Sequence, residues 1–567
     1  MKIFKFFPLA CAALMMSACS SDNDIEGGAT KPGSDPQYLA VNIVNVGTTP
    51  TRAGDYENGT TEESTIKKVR FYFFNGDGSP YLIKNPNVTG VTGGGSVNYL
   101  EATPGDDTTT PGSSANVEKI TQTVLVINGE QNAAPAAIMA VVNPETVEPA
   151  TLKDGATMRL SELRKAAVGQ NFYKKDASTG ALSDFVMSNS VYVNTGEDVC
   201  ASLVAGHIAT SQETAMTKPV DLYVERVVAK VTANVDLNVF EKGNGTNWDA
   251  TQYGTKTAVG KIGAYDVYAV IDGWGLADEE GKAKVEKSVN TDWTDAILGI
   301  TPWTTYDYRR SFWETSVEFN AGTNQPVNHK FNDFKANMKA ELYTLPNTPD
   351  AKITNVYDNN VTKFLVAATL KYKDEHDNWL LAEICRYNGV MILGVDNLKT
   401  QVALTFSKYY TSTDGSNYTQ LTKDDITFAE PTTSMKNYQV TPTLAADPTG
   451  TKLYYIKESD GSFTQVSKDV VNTAIGADKA EIRTEGKAYY YVPIKHLGTA
   501  GTLGEYGVVR NHFYKITLNG IKGFGTPVYN PDKVIDPTVP CYDNTYLAAR
   551  IKVLQWRIVK QDVNLGE

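Results

Sequence analysis

The sequence predicts an all-β protein with more than one domain. Its 567 residues exceed one small core, because an ordinary domain takes roughly 100 to 200 residues. The chain carries 31 Tyr and 45 Gly, and many of its segments alternate apolar and polar residues. Aromatic and β-branched residues suit pleated sheets, whereas glycine suits the tight turns between strands. Two large β domains fit this length and composition.

The charge balance argues against a nucleic-acid partner. The chain has 53 basic and 65 acidic residues, a net charge of −12, and no extended run of Lys or Arg. Proteins that bind DNA or RNA neutralise phosphates with clustered positive charge. With 41% hydrophobic residues, the chain is also too apolar to be intrinsically disordered. We predict a folded protein that does not bind nucleic acid.

The first residues have the features of a lipoprotein signal peptide. Residues 1–18 combine two early lysines with an apolar run that is too short to span a membrane as a helix. The small residues Ser17 and Ala18 precede Cys19, as in the lipobox that a lipoprotein signal peptidase cuts. We predict that Cys19 carries the lipid, which would be the only membrane contact of the precursor. The alternative is an ordinary secretory signal followed by a chance cysteine.

Three cysteines remain once the signal peptide has left and Cys19 is acylated, namely Cys200, Cys385 and Cys541. An odd number cannot pair completely within one chain, and the wide spacings match no zinc site. We therefore expect them to be small buried hydrophobic residues.

A strand is predicted over residues 38–46, directly before a polar loop. Leu39, Val41 and Ile43 share one face, and after a slip of one residue Val44 and Val46 take the opposite face. The loop that follows is bounded by glycine and proline and contains Arg52-Ala53. Exposed loops of this kind are preferred sites of proteolysis, so cleavage after Arg52 is a hypothesis.

Alternation of apolar residues predicts further strands along the chain. They cover residues 66–74, 120–128, 136–142, 227–237, 361–372, 379–384, 489–494 and 512–518. Residues 75–78 read Asn-Gly-Asp-Gly and predict a tight turn, whereas the spacing of apolar residues over 160–168 predicts a short helix. The Gly-, Thr- and Pro-rich segment 90–114 is expected to be a long exposed loop.

No motif carries recognisable chemistry. Residues 374–377 read Asp-Glu-His-Asp, a composition that suits a metal, but their place between two predicted strands favours an exposed hairpin tip. The sequence contains no HExxH, GxSxG or phosphate-binding loop. We predict no catalytic activity, no metal site and no cofactor.

Residues 303–313 are dense in aromatic side chains. Trp303, Tyr308, Arg309 and Trp313 offer ring faces and a guanidinium plane on which sugars or a partner surface would stack. The alternative is an irregular loop that covers the core.

The C-terminal segment 546–567 has the same kind of pattern as the strand 38–46. Ile551 and Val553 share one face, and after a slip at Leu554 the apolar residues take the other. The segment is therefore a candidate donor strand that would complete a sheet of another subunit. Its predicted contact residues are Ile551, Val553, Leu554, Trp556, Ile558, Val559, Val563 and Leu565. The alternative is that it forms the last core strand of its own domain.

Several segments, taken in order, resemble the fimbrillin family that builds type V pili, and most closely the shaft subunit of the short, or minor, fimbria. They span nearly the whole chain. They are residues 16–19 (MSAC), 51–53 (TRA), 69–75 (VRFYFFN), 224–231 (VERVVAKV), 308–313 (YRRSFW), 509–516 (VRNHFYKI) and 553–556 (VLQW).

The resemblance implies two transthyretin-like β-sandwich domains with minor short helices. It also implies that an arginine-specific protease cuts between Arg52 and Ala53, and that the C-terminal strand of a neighbouring subunit fills the groove left by the removable strand. The corresponding boundaries are 1–18 (signal peptide), 19–52 (propeptide with the removable strand 38–46), 53–222 (N-terminal domain), 223–545 (C-terminal domain) and 546–567 (donor-strand arm).

The expected function is that of a fimbrial shaft subunit. The resemblance implies an outer-membrane lipoprotein precursor that matures into a cell-surface fimbrium and supports adhesion and biofilm formation. Its implied partners are further copies of itself, tip and anchor pilins, the protease, and host or bacterial receptors. The alternatives are a monomeric surface lipoprotein that binds glycan through residues 303–313, and a tip or anchor pilin of the same system.

Overall fold

The computed structural model describes most of the chain between residues 37 and 559. The described residues are 37–45, 59–85, 88, 94–103, 119–127, 134–146, 152, 154–169, 171–189, 201–202, 207–288, 314–316, 326–358, 360–432, 438–496, 500–535, 537, 546–555 and 558–559.

In the described part of the N-terminal half, nine strands form one sheet. Its main path runs in the order Ile208–Ala209, Gln37–Asn45, Val220–Arg226, Met187–Asn189, Ala137–Val142, Val69–Phe74 and Tyr99–Ala102. Lys119–Ile127 also pairs with Gln37–Asn45, and Ala201–Ser202 with Ala137–Val142. Apolar side chains from both ends of the sheet, including Tyr99 and Leu125, meet in one core.

Two sheets pack face to face in the C-terminal half, and both contribute to a second core. The first runs Glu341–Thr344, Ala229–Val235, His512–Lys522, Tyr546–Gln555 and Ile558–Val559. The second runs Phe240–Lys242, Tyr253–Thr255, Tyr265–Ala277, Lys363–Lys373, Lys487–Pro493 and Thr526–Pro527, with Gly260–Ile262 and Trp379–Leu381 at its side.

A third core, which the sequence did not indicate, lies within residues 385–482. Helix Val395–Thr405 buries Leu398 and Val402 in it, and helix Lys468–Ile475 buries Val471 and Ile475. The small sheets around it are formed by Ile384–Tyr387, Val390–Leu393 and Ala480–Ile482; by Tyr409–Ser412, Thr419–Gln420, Leu453–Lys457 and Phe463–Val466; and by Ile426–Ala429 and Thr441–Leu444.

The remaining elements are short. They are the strand pairs Ile83–Asn85 with Gly95–Val97, Lys174–Lys175 with Leu182–Ser183, and Ala167–Val168 with Ala283–Lys284; the α-helices Thr61–Ser64, Leu160–Leu163 and Gln212–Met216; and the 3₁₀ turns Pro144–Thr146, Phe331–Asp333, Lys423–Asp425 and Thr484–Gly486. Within the described residues, no helix is long and apolar enough to cross a membrane.

The structure confirms the all-β class and most of the predicted strands. Alternation is visible in Ala229–Val235, where the buried and less buried positions follow a period of two. The turn at 75–78 is present, since the amide of Gly78 donates to the carbonyl of Asn75. The hairpin tip at 374–378 is also present, and the Asp374 carboxylate caps it by accepting from the amides of His376 and Asn378.

Two local predictions were wrong. Within the predicted loop 90–114, residues 94–103 are not exposed loop, since they form two strands and Tyr99 is buried. Residues 90–93 and 104–114 lie outside the described residues. Asn98 lies in the turn between the two strands, and its side-chain amide donates to the backbone carbonyls of Phe73 and Met158. These hydrogen bonds allow the turn to be buried, because its polar groups are satisfied without water. The predicted helix 160–168 ends at Leu163, after which Ala167–Val168 pairs as a strand.

The chain crosses from the N-terminal sheet to the next sheet after Arg226, and the domain boundary at 222/223 stays a prediction. Strand Val220–Arg226 belongs to the N-terminal sheet, and Ala229 begins the next sheet. This strand therefore spans position 222/223, where the boundary was predicted. Val227 and Val228 between the two strands are buried in the N-terminal core.

Candidate functional site

The strand Gln37–Asn45, called the leading strand below, lies inside the N-terminal sheet. It pairs along its whole length with Lys119–Ile127 in antiparallel orientation, so that Leu39 faces Leu125 and Val41 faces Thr123. On its other side it pairs in parallel with Val220–Arg226, and Tyr38 and Leu39 pair in antiparallel orientation with Ile208–Ala209. The leading strand is therefore held from both sides.

The leading strand is buried on both faces where its side chains are described. Leu39 and Val41 are 0% exposed and belong to the N-terminal core. Ala40 is also 0% exposed, but it points to the opposite face because side chains alternate along a strand. Helix Gln212–Met216 lies beside the strand. The position of Ala40 therefore accepts a methyl group with little space for a larger side chain.

The predicted site residues fall into three groups. Leu39, Val41, Ile43 and Val44 belong to the leading strand. Ile551, Val553 and Leu554 belong to strand Tyr546–Gln555, and Ile558 and Val559 form a short strand that pairs with it. The others lie outside the described residues: Cys19, Val46, Arg52, Ala53, Trp303, Tyr308, Arg309, Trp313, Trp556, Val563 and Leu565. Cys200 and Cys541 also lie outside them, whereas Cys385 is fully buried, as expected, and burial raises the pKa of its thiol to about 12.

The strand Tyr546–Gln555, called the C-terminal strand below, pairs with its own domain in this structure. It runs antiparallel to His512–Lys522, with Ile551 opposite Ile516 and Val553 opposite Tyr514. Leu547 and Ala549 are buried in the second core. Among the described residues, its other side pairs through Val553 and Leu554 with Ile558–Val559. The C-terminal strand thus has one full-length partner and one short one.

A buried ionic cluster follows the predicted cleavage site. Glu63, in helix Thr61–Ser64, is 1% exposed. Its carboxylate accepts hydrogen bonds from the Tyr343 hydroxyl, from the Lys230 ammonium at 2.9 Å and from the Thr60 amide at 2.8 Å. Burial opposes its ionisation, but the hydrogen bonds from Lys230 and Tyr343 outweigh burial and hold the pKa of Glu63 below its usual value.

Arg226 extends this cluster to the C-terminal half. Its guanidinium donates to the Glu63 carbonyl at 2.6 Å, to the Ser64 hydroxyl at 2.8 Å and to the Asn511 side-chain oxygen at 3.2 Å. These contacts tie the start of the N-terminal domain to the second one. Sequence reasoning missed this cluster, although the pairing of Thr60 with Glu63 is a capping box that signals a helix start.

Comparison with known protein families gave one match, which lies in the C-terminal half of the chain. Residues 483–562 match the family model described as major fimbrial subunit protein type IV, fimbrillin, C-terminal. The matched segment contains both His512–Lys522 and the C-terminal strand that pairs with it. No curated protein sequence matches the chain significantly.

The comparison with solved structures found cell adhesion and fimbrial proteins. A candidate cell adhesion protein of Bacteroides eggerthii DSM 20697 has 10% identity, covers 94% of this chain and 98% of its own, and has a TM-score of 0.36. A fimbrilin (fimA) of Porphyromonas gingivalis W83 has 13% identity, with 92% and 98% coverage and a TM-score of 0.34. The tip fimbrial protein Mfa3 of Porphyromonas gingivalis has 9% identity, with 91% and 99% coverage and a TM-score of 0.28.

All three structures have TM-scores below 0.5. The family match covers residues 483–562 of a chain of 567 residues. This segment contains the C-terminal strand. The C-terminal part of this chain is therefore similar to the C-terminal part of fimbrillins, the major subunits of fimbriae.

Proposed function

We propose that this chain is a structural shaft subunit of a surface fimbria that polymerises by donor-strand exchange after cleavage at Arg52. The observation that carries the proposal is the position of the leading strand. It precedes Arg52 in the sequence, yet it fills the N-terminal sheet between two other strands. Leu39 and Val41 contribute to the core of the domain that would remain after cleavage.

Cleavage after Arg52 would leave the leading strand without a covalent link to the domain it completes. Its departure would expose the facing edges of Lys119–Ile127 and Val220–Arg226 and open the space of Leu39 and Val41. Burial of each of these side chains contributes about 1.5 to 3 kcal/mol. A sheet with unpaired backbone groups and an open core readily accepts a strand from another chain.

The C-terminal strand is the proposed donor. In its own domain it has a full-length partner on one side and pairs on the other, within the described residues, through Val553 and Leu554. In the vacated groove it would lie between two strands, so more of its backbone groups would be hydrogen-bonded. This second ladder favours exchange, and it offsets part of the entropy lost on association.

The remaining parts of the proposal come from the sequence. Acylation at Cys19 would carry the precursor to the outer membrane, and an arginine-specific protease would release the mature subunit. Tip and anchor pilins and surface receptors are the proposed partners in adhesion and biofilm formation. A shaft role fits best, because one chain carries both a strand that cleavage would release and a strand that it would donate.

The substitution Arg52→Ala tests the proposal. We expect the variant to accumulate as a folded, lipidated precursor without polymers, because the leading strand stays in its groove. Unboiled gel electrophoresis of surface material reports polymers, and N-terminal sequencing reports the cleavage site. Arg52→Lys keeps the positive charge and is expected to fail equally, whereas Lys31→Ala, upstream in the propeptide, serves as the control that polymerises. A normal polymer ladder from Arg52→Ala would refute the proposal.

A further inference from the structure

The leading strand and the C-terminal strand begin with nearly the same sequence. Residues 38–43 read YLAVNI, and residues 546–551 read YLAARI. Tyr, Leu, Ala and Ile are identical at four of the six positions. The two segments lie in different sheets, and they are 508 positions apart.

Matching positions of the two strands have the same relation to a core. Leu39 and Val41 are buried in the N-terminal core, and their counterparts Leu547 and Ala549 are buried in the second core. The C-terminal strand therefore already presents its Leu547 face to an apolar interior. In the groove of another subunit, Leu547 and Ala549 would again point to the core only if the C-terminal strand entered in a register that preserves this alternation.

Three registers satisfy this condition and place apolar residues at the positions of both Leu39 and Val41. Leu547, Ala549 or Ile551 takes the place of Leu39. The buried position of Ala40 then receives Ala548, Arg550 or Lys552, respectively. Burying an unpaired guanidinium or ammonium group is strongly unfavourable, whereas the methyl group of Ala548 equals that of Ala40.

We propose that the C-terminal strand of an incoming subunit enters the groove with Leu547 in the place of Leu39. Ala548 then takes the place of Ala40, and Ala549 that of Val41. The incoming strand runs antiparallel to Lys119–Ile127 and parallel to Val220–Arg226, as the leading strand does. This inference rests on the proposed function and specifies the register of its donor strand.

One consequence is that the donated segment begins at Tyr546 rather than at Ile551. Leu547 and Ala549 would leave the second core and become buried again in the next subunit. The full C-terminal strand would be exchanged, and the edge of His512–Lys522 would be uncovered in the donor.

Pairs of cysteines measure the register directly. Thr123 lies opposite Val41, and Val124 lies opposite Ala40. The proposed register therefore predicts intersubunit disulfides for Thr123→Cys with Ala549→Cys and for Val124→Cys with Ala548→Cys. Two neighbouring positions are used because opposite residues alternate between closer and wider pairs in an antiparallel ladder. The matched variants for the register shifted by two residues are Thr123→Cys with Ile551→Cys, and Val124→Cys with Arg550→Cys.

The expected result is a covalent ladder on reducing-agent-free, boiled gels for at least one proposed pair and none for the shifted pairs. Variants with one introduced cysteine control for Cys200, Cys385 and Cys541. A ladder from a shifted pair, or polymers without any ladder, would overturn the register. Failure of the cleaved, unsubstituted chain to form polymers on unboiled gels would instead overturn the proposed function.

A second test needs no cysteine. Ala548→Arg places a guanidinium at the buried position of Ala40 in the proposed register, so polymers are expected to be lost. In its own domain Ala548 is half-buried opposite Gly520, and circular dichroism checks that the monomer remains folded. Polymer formation by Ala548→Arg at the unsubstituted level would contradict the proposed register.

Discussion

Glu63 lies where the start of the N-terminal domain meets the C-terminal half. It is separated in sequence from Lys230 and Tyr343 by well over a hundred residues, yet both donate to its carboxylate. Lys230 also pairs with Glu341 at 2.8 Å. A buried ion pair is costly to break, although Lys230 would keep the Glu341 carboxylate if Glu63 were removed.

Glu63→Gln tests this contact at the residue scale. We expect the free energy of unfolding to fall by about 2 kcal/mol, since Lys230 loses one of its two counter-charges and keeps Glu341. The measurement is urea unfolding at neutral pH, with the neighbouring exposed residue substituted as Glu62→Gln for the control. A change below about 0.5 kcal/mol, which is usual for surface positions, would contradict the assigned role.

The same variant has a defined pH dependence. The pKa of Glu63 is lowered in the folded state, so its stabilising contribution is complete at neutral pH. That contribution begins to be lost below about pH 4.3, the ordinary value for Glu, and disappears below the lowered folded pKa. The difference in stability between the unsubstituted chain and Glu63→Gln should therefore shrink as the pH falls.

At the scale of elements, each half of the chain contains one pair of neighbouring strands that run parallel to each other. The leading strand lies parallel to Val220–Arg226, the last strand of its sheet in chain order, and Ala229–Val235 lies parallel to His512–Lys522. The leading strand therefore has the role that Ala229–Val235 has in the C-terminal half. The difference is that a candidate cleavage site follows the leading strand, so that only this strand would be released by cleavage after Arg52.

Val41→Ala tests whether the leading strand is part of the precursor but not of the mature subunit. We expect the precursor to lose about 2 kcal/mol of stability, because the truncation opens a cavity in the core. Polymer yield after cleavage should not change, since the substituted strand leaves. Thermal unfolding of the precursor and unboiled gels of the cleaved protein measure the two effects.

The matched control is Val224→Ala, which removes a buried side chain from a strand that stays. This control should weaken both the precursor and the polymer. Equal damage to the polymer by Val41→Ala would mean that the leading strand remains part of the mature subunit.

The candidate site was predictable from the sequence to the extent that its pattern is local. Alternation over residues 38–46 indicated a strand with Leu39 and Val41 on one face, and the structure has that face in the core. The neighbours of the strand could not be predicted, because Lys119–Ile127 and Val220–Arg226 are distant in sequence and similar in pattern to other strands. The burial of Ala40 follows from that packing, and it selects the register of the incoming strand that places Ala548 there.

At the scale of the whole molecule, buried charged side chains and one short strand pair join the two halves. Arg226 reaches Asn511, Lys287 pairs with Glu225 at 2.9 Å, and Ala167–Val168 pairs with Ala283–Lys284. In the proposed fibre, each subunit would be held by one neighbour at its N-terminal groove and by the next neighbour through its C-terminal strand, so a pulling force would act between these two points. A joint with directional, buried contacts would resist bending between these two points.

Arg226→Met tests this joint. Burial lowers the pKa of Arg226 to about 10, so it is charged at neutral pH, and its removal leaves the Glu63 carbonyl and Asn511 without this donor. We expect a loss of about 3 kcal/mol and a change from one unfolding transition to two in scanning calorimetry. Arg159→Met, at an exposed position, is the control. A single transition at an unchanged temperature would contradict a joint that couples the halves.

The sequence by itself determined the all-β class, most strand positions, the turn at 75–78 and the face of the leading strand. These follow from alternation and turn residues, which act over a few neighbouring positions. The tertiary structure decided the partners of each strand, the third core within residues 385–482 and the cluster around Glu63. These depend on contacts between residues far apart in the chain, and no local pattern distinguishes such partners before the chain is folded.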